Sequence, residues 1–307
     1  MADPIVVDVV RSGVRESVHL VDAAVIDAAG HLVAWAGDPE QPAAYRSSAK
    51  PLQARVSLEA GWTPSDARAV AIACSSHNGE PAHVAAVRAM LSEAGLEEGA
   101  LRCPADVPLY APAVMGIREP APIYHNCSGK HAAMIAACKA SGWPLESYRD
   151  EDHPLQRAVS TLVGSIIGEV SATLVDGCGV PTFVAPLRAL ARGLLDIGGG
   201  PEAEAMRAHP FLVGGTGRLD TDLMAAAPQV LIKSGAEGLA CLSADGLGIA
   251  LKVRDGAARA RGPAAMSVLG QLGLVGDDLL PQHQEPPVFG GGEAVGSLRA
   301  RGRLTRG

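Results

Sequence analysis

The chain has 307 residues, with 26 Lys and Arg against 33 Asp and Glu, which gives a formal net charge of −7. Hydrophobic residues make up 48% of it, which excludes a disordered chain and provides enough apolar surface to fold without cross-links. The acidic balance argues against bulk binding of nucleic acid, and the low aromatic content of 3% means that a core must be built mainly from Val, Leu, Ile and Ala.

The N-terminal third combines strand and helix patterns. Apolar and β-branched runs predict strands over Ile5 to Val10, Val18 to Ile26 and Leu32 to Trp35. Helical patterns follow from about Ser47 to Glu59 and from about Ala82 to Ala94. Between these two helices, the apolar run Ala69 to Cys74 predicts a short buried strand.

The rest of the chain places helices before a second group of strands. Helices are predicted at about Ser128 to Ser141, Pro154 to Glu169, 184–194, 201–208 and Ala257 to Leu272. Strands are predicted at Leu174 to Cys178, Val230 to Lys233, Ala240 to Ser243 and Gly248 to Val253. Strands at both ends with helices between them indicate one α+β domain, residues 1–307, whose termini meet in one sheet.

The sequence carries no signal for a membrane or an oxidising compartment. No run of 18 or more apolar residues occurs, and the first residues lack the basic patch and apolar run of a signal peptide. The six cysteines include no CxxC pair and do not form the pattern of a disulfide scaffold. We therefore expect a reduced, cytoplasmic chain in which any special cysteine is a metal ligand or a nucleophile.

The first candidate site lies at the start of the helix predicted near residue 47. Ser47 and Lys50 stand three residues apart, so both side chains project from one helix face about one turn apart. A serine hydroxyl becomes nucleophilic when a base takes its proton, and a lysine whose pKa is lowered by burial can be that base. This S-x-x-K spacing is the nucleophile motif of penicillin-binding proteins and β-lactamases. A capping serine beside a solvated lysine gives the same pattern.

A second polar segment, SSHNGE, follows the strand predicted before it. Side chains at the end of a buried strand are held rigidly and can face a cleft. His77, Glu80 and His83 suggest metal ligands, but Gly79 and Pro81 interrupt the helix that would place all three on one face. We do not predict zinc at these residues, and an ordinary turn with capping serines remains the alternative.

Two cysteines lie in segments that suggest a thiol or metal site. Cys127, Lys130 and His131 fall within one turn of a predicted helix start. Asp176 and Cys178 lie in DGCGVP, where two glycines leave the backbone free to present an acid and a thiol. The two cysteines could bind a metal between them, or they could be small buried thiols, because free cysteine usually packs as a small hydrophobe.

Two lysines late in the chain lie in predicted strands. Lys233 begins a K-S-G tripeptide, which matches the K-[ST]-G signature that accompanies S-x-x-K in serine acyl-transferring enzymes. Lys252 alternates with apolar neighbours, and a lysine within a buried strand is costly unless it has a partner or a function. The tripeptide therefore supports the S-x-x-K interpretation, and Lys252 is a candidate functional residue.

Six segments in this order resemble the type II L-asparaginases related to the rhizobial thermolabile enzyme. They are RSSAKPLQ (46–53), SSHNGEPAH (75–83), HNCSGKHAAM (125–134), DGCGVP (176–181), GGTGRLDT (214–221) and KSGAEG (233–238). The resemblance runs from about residue 5 to about residue 270. It implies a serine-β-lactamase-like α+β fold, an antiparallel sheet flanked by helices, and hydrolysis of the side-chain amide of L-asparagine to aspartate and ammonia.

The resemblance also implies two neighbouring serine–lysine pairs. Carried over here, the first pair is Ser47 with Lys50 and the second is Ser76 with Lys252, while Ser75 remains an alternative to Ser76. We hypothesise acyl transfer, in which Ser47 attacks the amide carbon, backbone N–H groups near a helix start hold the oxyanion, and water resolves the acyl-enzyme. The second pair could take either role.

The remaining site residues come from the same resemblance. Its zinc ligands map to Cys127, Lys130 and Cys178. Arg46 is suited to grip the substrate carboxylate, Asp176 to bind its ammonium group, and His131 to orient the site. The resemblance implies a homodimer, whereas the acidic charge predicts no nucleic-acid partner and the lack of long apolar runs predicts no membrane partner. We expect no organic cofactor.

Two other classes of function fit the same residues. One is another serine amidohydrolase, such as a glutaminase, a D-amino-acid amidase or a β-lactam hydrolase. The other is an amino-acid- or metal-binding protein that kept the scaffold without turnover. Ammonia release from asparagine separates the enzyme from the binding protein.

Overall fold

The chain forms two compact units. A computed structural model describes residues 2–168 and 170–307. The first unit comprises the residues up to Ser48 together with Val184–Asp196 and Ala226–Gly307, and the second comprises Ala49–Phe183 and Ile197–Ala225. Compact units within one chain do not by themselves define independent domains, so the single domain expected for residues 1–307 stays a prediction.

The described residues contain strands in both the N-terminal and the C-terminal third. The strands are β1 Ile5–Arg11, β2 Val14–Ile26, β3 Leu32–Ala36, β4 Pro42–Ala44, β5 Ala172–Val175, β6 Pro181–Pro186, β7 Leu231–Ser234, β8 Leu239–Ala244, β9 Leu247–Val253, β10 Pro287–Gly290, β11 Glu293–Arg301 and β12 Thr305–Arg306.

Helices dominate the middle of the chain. The α-helices are α1 Lys50–Glu59, α2 Ala67–Ala73, α3 Pro81–Glu93, α4 Ala111–Val114, α5 Ser128–Ser141, α6 Pro154–Ile167, α7 Leu187–Leu190, α8 Arg192–Asp196, α9 Pro201–Ala208, α10 Pro210–Val213, α11 Leu219–Ala226, α12 Arg261–Gln271 and α13 Pro281–Gln284. Short 3₁₀ turns cover Arg46–Ala49, Glu98–Ala100, Pro122–Tyr124 and Ala258–Ala260.

The first unit is built on an antiparallel sheet. Its strand order is β10-β11-β1-β2-β9-β8-β7, with β3 paired to β2 and β12 paired to β3. Strand β2 is long enough to pair with β1 in its first part and with both β9 and β3 in its second part. The β1–β11 and β3–β12 pairs confirm that the two ends of the chain meet in one sheet.

Helices pack against this sheet because its buried face is a continuous apolar surface. Helix α12 contacts β1, β8, β9 and β11, α7 contacts β2 and β9, and α8 contacts β7, β8 and β9. Gly248 on β9 allows one of these close approaches, because a Cβ there would lie 2.4 Å from the carbonyl oxygen of Ala191. An antiparallel sheet flanked by helices is therefore confirmed.

The second unit corrects one prediction: the run Ala69 to Cys74 belongs to helix α2 rather than to a strand. Asp66 caps this helix by accepting a hydrogen bond from the backbone N–H of Ala69 at 3.1 Å. A short run of apolar residues can form either a buried helix or a buried strand, and the alanines of this run favour the helix. Helix α5 packs closely on α2, because a Cβ on Gly129 would lie 2.2 Å from the carbonyl oxygen of Ile72.

Smaller differences concern the ends of elements. The strand predicted at Leu174 to Cys178 is β5, which ends at Val175, and the helix predicted over 184–194 begins as strand β6 before α7 and α8. The helix predicted to end at Glu169 runs to Ile167, and Glu169 lies outside the described residues. The C-terminal strands β10, β11 and β12 were not predicted, because glycine, proline and arginine interrupt their apolar pattern. Among the described residues, no helix is both long and apolar enough to span a bilayer.

Candidate active site

A buried lysine at the start of α1 lies against the serine segment after α2. The Nζ of Lys50 donates to the Oγ of Ser76 at 3.0 Å, to the carbonyl oxygen of Ser75 at 2.5 Å and to that of Asn126 at 3.3 Å. Lys50 is fully buried and Ser76 is 5% exposed. These three contacts hold the Lys50 amine in one position beside the Ser76 hydroxyl.

The two adjacent serines have different surroundings. The hydroxyl of Ser75 donates to the carbonyl oxygen of Ile72 at 2.6 Å, which satisfies one of the free carbonyls at the end of α2. The hydroxyl of Ser76 faces Lys50, and the backbone N–H of Ser76 donates to Val213 at 3.0 Å. The serine within reach of a buried amine is therefore Ser76.

His77 ties the Ser76 segment to the start of α5. Its Nδ1 accepts from the backbone N–H of Gly79 at 3.0 Å, so its Nε2 carries the proton and donates to the Oγ of Ser128 at 2.9 Å. Burial, assisted by the nearby His83 and Lys50, holds the pKa of His77 well below its usual value. The imidazole is therefore a neutral structural donor at neutral pH.

Ser47 lies in the 3₁₀ turn that leads into α1, three residues before Lys50. It is partly exposed, as a nucleophile must be to meet a substrate. Arg46 precedes it with φ +47°, a left-handed conformation that costs a residue with a side chain about 1–2 kcal/mol. Strain of this kind concentrates at functional sites. The left-handed backbone at Arg46 is therefore a second, independent indication that this turn is functional.

The three predicted metal ligands lie together in the second unit. The Nζ of Lys130 donates to the Sγ of Cys178 at 2.9 Å, and the Cys127 Sγ, which lies 3.2 Å from the Oδ1 of Asn126, also interacts with Cys178. All three side chains are buried, with exposures of 4% or less. Two sulfur atoms and one amine nitrogen thus converge, and such donors suit zinc.

The charges in this cluster are set by the same contacts. The hydrogen bond from Cys127 lowers the pKa of the Cys178 thiol far below its usual value, and the nearby Lys130 charge adds to this against the effect of burial. That hydrogen bond and burial raise the pKa of Cys127. Burial opposes the charge on Lys130, but Cys178, Cys127 and Asp176 raise its pKa. Without a metal, the cluster is a thiolate–ammonium pair beside a neutral thiol.

His131 lies fully buried next to this cluster. Its Nδ1 is 2.5 Å from the hydroxyl oxygen of Tyr148, which also accepts from the backbone N–H of Arg102 at 3.0 Å. Its side chain also shares a hydrogen bond with Cys178. Burial lowers the pKa of His131 to about 4, although Cys178 acts in the opposite direction. Tyr148 is a contact that the sequence did not reveal.

Asp176 lies in the turn between β5 and β6. It is 8% exposed, its carboxylate accepts from the backbone N–H of Gly177 at 2.9 Å, and its Oδ2 lies 3.8 Å from the Cys178 sulfur. The predicted acid and the predicted thiol of this turn thus lie side by side. In the part of the chain that the structure describes, no group of three or more His, Cys, Asp or Glu side chains could hold a metal, so a metal here would depend on Lys130.

Lys233 and Lys252, the two candidate lysines of the C-terminal third, lie in the first unit. Lys252 is on β9 opposite Asp22, half-buried, and its Nζ donates to the carbonyl oxygen of Val253. Burial lowers its pKa, although Glu237, Asp255 and Asp22 act against this. Lys233 is fully buried, its Nζ donates to the carbonyl oxygen of Ser234 at 2.7 Å, and its own carbonyl accepts from the Ser48 hydroxyl at 2.7 Å. A lysine with a lowered pKa is suited to act as a base.

The comparison with protein families matches nearly the whole chain. The model of the family described as L-asparaginase II matches residues 7–300. The chain belongs to the L-asparaginase II family. The suspected resemblance is therefore confirmed, and the family is one of asparaginase-type amidohydrolases. No curated protein matches the chain significantly.

Family membership covers every candidate site residue of both units, since all of them lie between residues 7 and 300. The family match does not assign roles to single residues, so the pairing of Ser47 with Lys50 and of Ser76 with Lys252 stays a prediction. The contact between Lys50 and Ser76 is an addition that the sequence did not predict.

Proposed function

We propose that the protein is an L-asparaginase that hydrolyses the side-chain amide of L-asparagine by serine–lysine acyl transfer on a serine-β-lactamase-like fold. The observation that carries this proposal is the 3.0 Å contact between the buried Lys50 amine and the Ser76 hydroxyl, in a chain of the L-asparaginase II family. A buried lysine beside a serine hydroxyl is the arrangement that serine–lysine acyl transfer needs.

Ser47 is the proposed nucleophile and Lys50 its base. A neutral Lys50 takes the hydroxyl proton as the Ser47 oxygen attacks the amide carbon, and backbone N–H groups at the helix start hold the oxyanion. The C–N bond then breaks, Lys50 returns the proton to the leaving nitrogen, and ammonia departs. Water hydrolyses the ester to aspartate and regenerates Ser47. The strained backbone at Arg46 and the exposure of Ser47 support this assignment.

Ser76 and Lys252 form the second proposed pair. The contact of Ser76 with Lys50 supports Ser76 over Ser75, whose hydroxyl is occupied by α2. The lowered pKa of Lys252 supports a role as a proton acceptor. In this proposal, Ser76 positions the Lys50 amine through their hydrogen bond.

Three groups are proposed to bind the substrate. Arg46 grips the α-carboxylate, Asp176 binds the ammonium group, and His131 orients the site. Asp176 is 8% exposed and carries a carboxylate, which is the group that a substrate ammonium needs as its partner.

Cys127, Lys130 and Cys178 are the proposed zinc ligands. Their convergence within hydrogen-bond distance and their sulfur and nitrogen donors fit zinc, provided that Lys130 and Cys127 lose their protons on binding. Bound zinc would supply a Lewis acid or a structural cross-link. We also propose a cytoplasmic homodimer that uses no organic cofactor.

An ammonia-release assay tests the function. Ammonia release is measured with L-asparagine, L-glutamine and a D-amino-acid amide, and ring opening of a chromogenic β-lactam is followed by absorbance, with Ser47→Ala as the matched variant. We expect the highest kcat/KM for asparagine and almost complete loss in Ser47→Ala. Tight asparagine binding without ammonia release would support the binding-protein alternative. A higher kcat/KM for another compound would show that asparagine is not the preferred substrate. More than a few per cent of residual activity in Ser47→Ala would reject Ser47 as nucleophile.

A further inference from the structure

Two segments of the second unit are held together around Ser76. The Ser76 segment comprises residues 75–80, and the Thr216 loop comprises residues 213–218. Their backbones meet at two points, since the N–H of Ser76 donates to Val213 and the N–H of Asn78 donates to Gly214, both at 3.0 Å. The loop therefore fixes the backbone of the residue whose hydroxyl faces Lys50.

Glu80 fastens the same two segments through its side chain. One carboxylate oxygen accepts from the backbone N–H of Thr216 at 2.8 Å, and the other accepts from the Thr216 hydroxyl at 2.7 Å. Asn78 adds a third side-chain link, because its Nδ2 donates to the carbonyl oxygen of Thr216 at 3.0 Å. Glu80 is 7% exposed, so water competes little for these contacts.

The remaining groups of both segments are arranged to keep this contact. Arg218 donates to the Oδ1 of Asn78 at 3.0 Å, which orients the amide. Gly215 has φ +109°, and a Cβ there would lie 2.4 Å from the Oε1 of Glu80. Any other residue at this position would push the carboxylate away from Thr216, so the glycine is required by the clamp.

We propose that Glu80 is a positioning residue for the reaction, which holds Ser76 at Lys50 by clamping the Thr216 loop. This inference rests on the proposed function and deepens it. Glu80 touches neither Lys50 nor the Ser76 hydroxyl in the described contacts, and it acts through the backbone that carries Ser76. A misplacement of about 1 Å in a catalytic group can cost about 100-fold in rate, so the clamp affects kcat more than substrate binding.

Two pairs of substitutions separate positioning from mere structural support. Glu80→Ala removes the carboxylate, whereas Glu80→Gln keeps an acceptor for the Thr216 N–H and a donor for the Thr216 hydroxyl. Thr216→Val removes one link at an exposed residue that folding should tolerate, and Thr216→Ser restores the hydroxyl. Glu146→Ala is the control, because Glu146 is an exposed glutamate of the same unit.

The experiment measures kcat and KM for asparagine, the melting temperature, and amide hydrogen exchange in residues 75–80. We expect kcat to fall about 10- to 100-fold in Glu80→Ala and less in Thr216→Val, with KM within about twofold and faster exchange in this segment. Glu80→Gln and Thr216→Ser should recover most of the rate, and Glu146→Ala should match the wild type.

The proposal is wrong if Glu80→Ala keeps the wild-type kcat, or if Thr216→Val leaves both kcat and the exchange of residues 75–80 unchanged. Loss of rate without recovery in Glu80→Gln would also contradict it, because the clamp depends on shape and hydrogen bonds that glutamine keeps. Ammonia release by the wild-type protein tests the proposed function separately from the test of the clamp. A wild-type protein that releases no ammonia rejects the asparaginase, whereas the exchange comparison still reports on the clamp.

Discussion

Buried polar side chains are paired differently in the two units. In the second unit they concentrate in two short segments, residues 75–83 and 125–131, and they contact one another as well as the backbone. In the first unit they are spread along the sheet, and several of them, such as Lys233 and Ser243, bond to backbone carbonyls. A buried network in which polar side chains bond to one another is costly to assemble and sensitive to single substitutions. The network of the second unit therefore indicates a functional site.

The largest expected effect is therefore at Lys50, with Lys252 as the comparison in the first unit. Lys50→Met leaves buried carbonyl acceptors of Ser75 and Asn126 without a donor, at a cost of about 1–3 kcal/mol each, and removes the proposed base, which is worth about 10²–10⁴-fold in rate. Lys252→Met should lower the rate while costing less stability, because Lys252 is only half-buried. Denaturant unfolding and ammonia release measure both effects. Equal stability losses in the two variants would contradict the comparison.

The next effect concerns the thiol cluster. Cys178→Ala leaves the buried Lys130 ammonium without its thiolate partner, and removal of one member of a buried ion pair costs about 3–5 kcal/mol. The same variant should lose bound zinc after dialysis, as measured by elemental analysis. Cys241→Ala is the control, since Cys241 is a fully buried cysteine of the first unit whose pKa is raised to about 12 by burial. Equal zinc content in Cys178→Ala and the wild type would show that Cys127, Lys130 and Cys178 are not the metal site.

Helix packing gives a smaller effect that compares the two units directly. Gly129→Ala in α5 and Gly248→Ala in β9 would each drive a Cβ to within 2.2–2.4 Å of a carbonyl oxygen, so both should lose about 1–3 kcal/mol of stability. Gly164→Ala in α6 meets no atom within 4 Å and should stabilise the helix by up to about 1 kcal/mol. Unfolding in denaturant measures all three. A neutral Gly129→Ala would mean that α2 and α5 are less closely packed than the structure has them.

These glycines also indicate how far the sequence could predict the fold. Strands β1–β3 and β7–β9 were predictable because their β-branched and apolar runs end at turn residues. Helix α2 was not, because a short apolar run fits a buried helix and a buried strand equally well. The close approach at Gly129 that identifies α2 as a neighbour of α5 is a tertiary contact with no local signal.

The candidate site was predictable in its residues but not in its contacts. The S-x-x-K spacing indicated Ser47 and Lys50, the segments around Cys127 and Cys178 indicated the cysteines, and the family resemblance indicated zinc. The Lys50–Ser76 contact depends on the path of the chain after α2, which the sequence placed at the end of a strand. Tyr148, which meets His131, lies in a segment without any motif.

The smallest expected effect is the pH dependence caused by Glu202. Burial raises the pKa of this carboxyl above its usual value of 4.5, although the Arg55 guanidinium at 3.7 Å acts against the shift. The folded state then binds more protons than the unfolded state, so stability is highest at low pH and falls as pH rises through the raised pKa. Glu202→Gln should make the unfolding free energy less dependent on pH as the pH rises above the usual pKa of 4.5. An unchanged slope in denaturant titrations would contradict this.

The central claim is that amide cleavage passes through an ester on Ser47. Enzyme mixed with asparagine is quenched with acid during turnover, digested, and mapped by mass spectrometry, with Ser76→Ala as a parallel sample. We expect one aspartyl group on the peptide that contains Ser47 in both samples. An aspartyl group on Ser76, or full turnover by Ser47→Ala without any ester, would contradict the account.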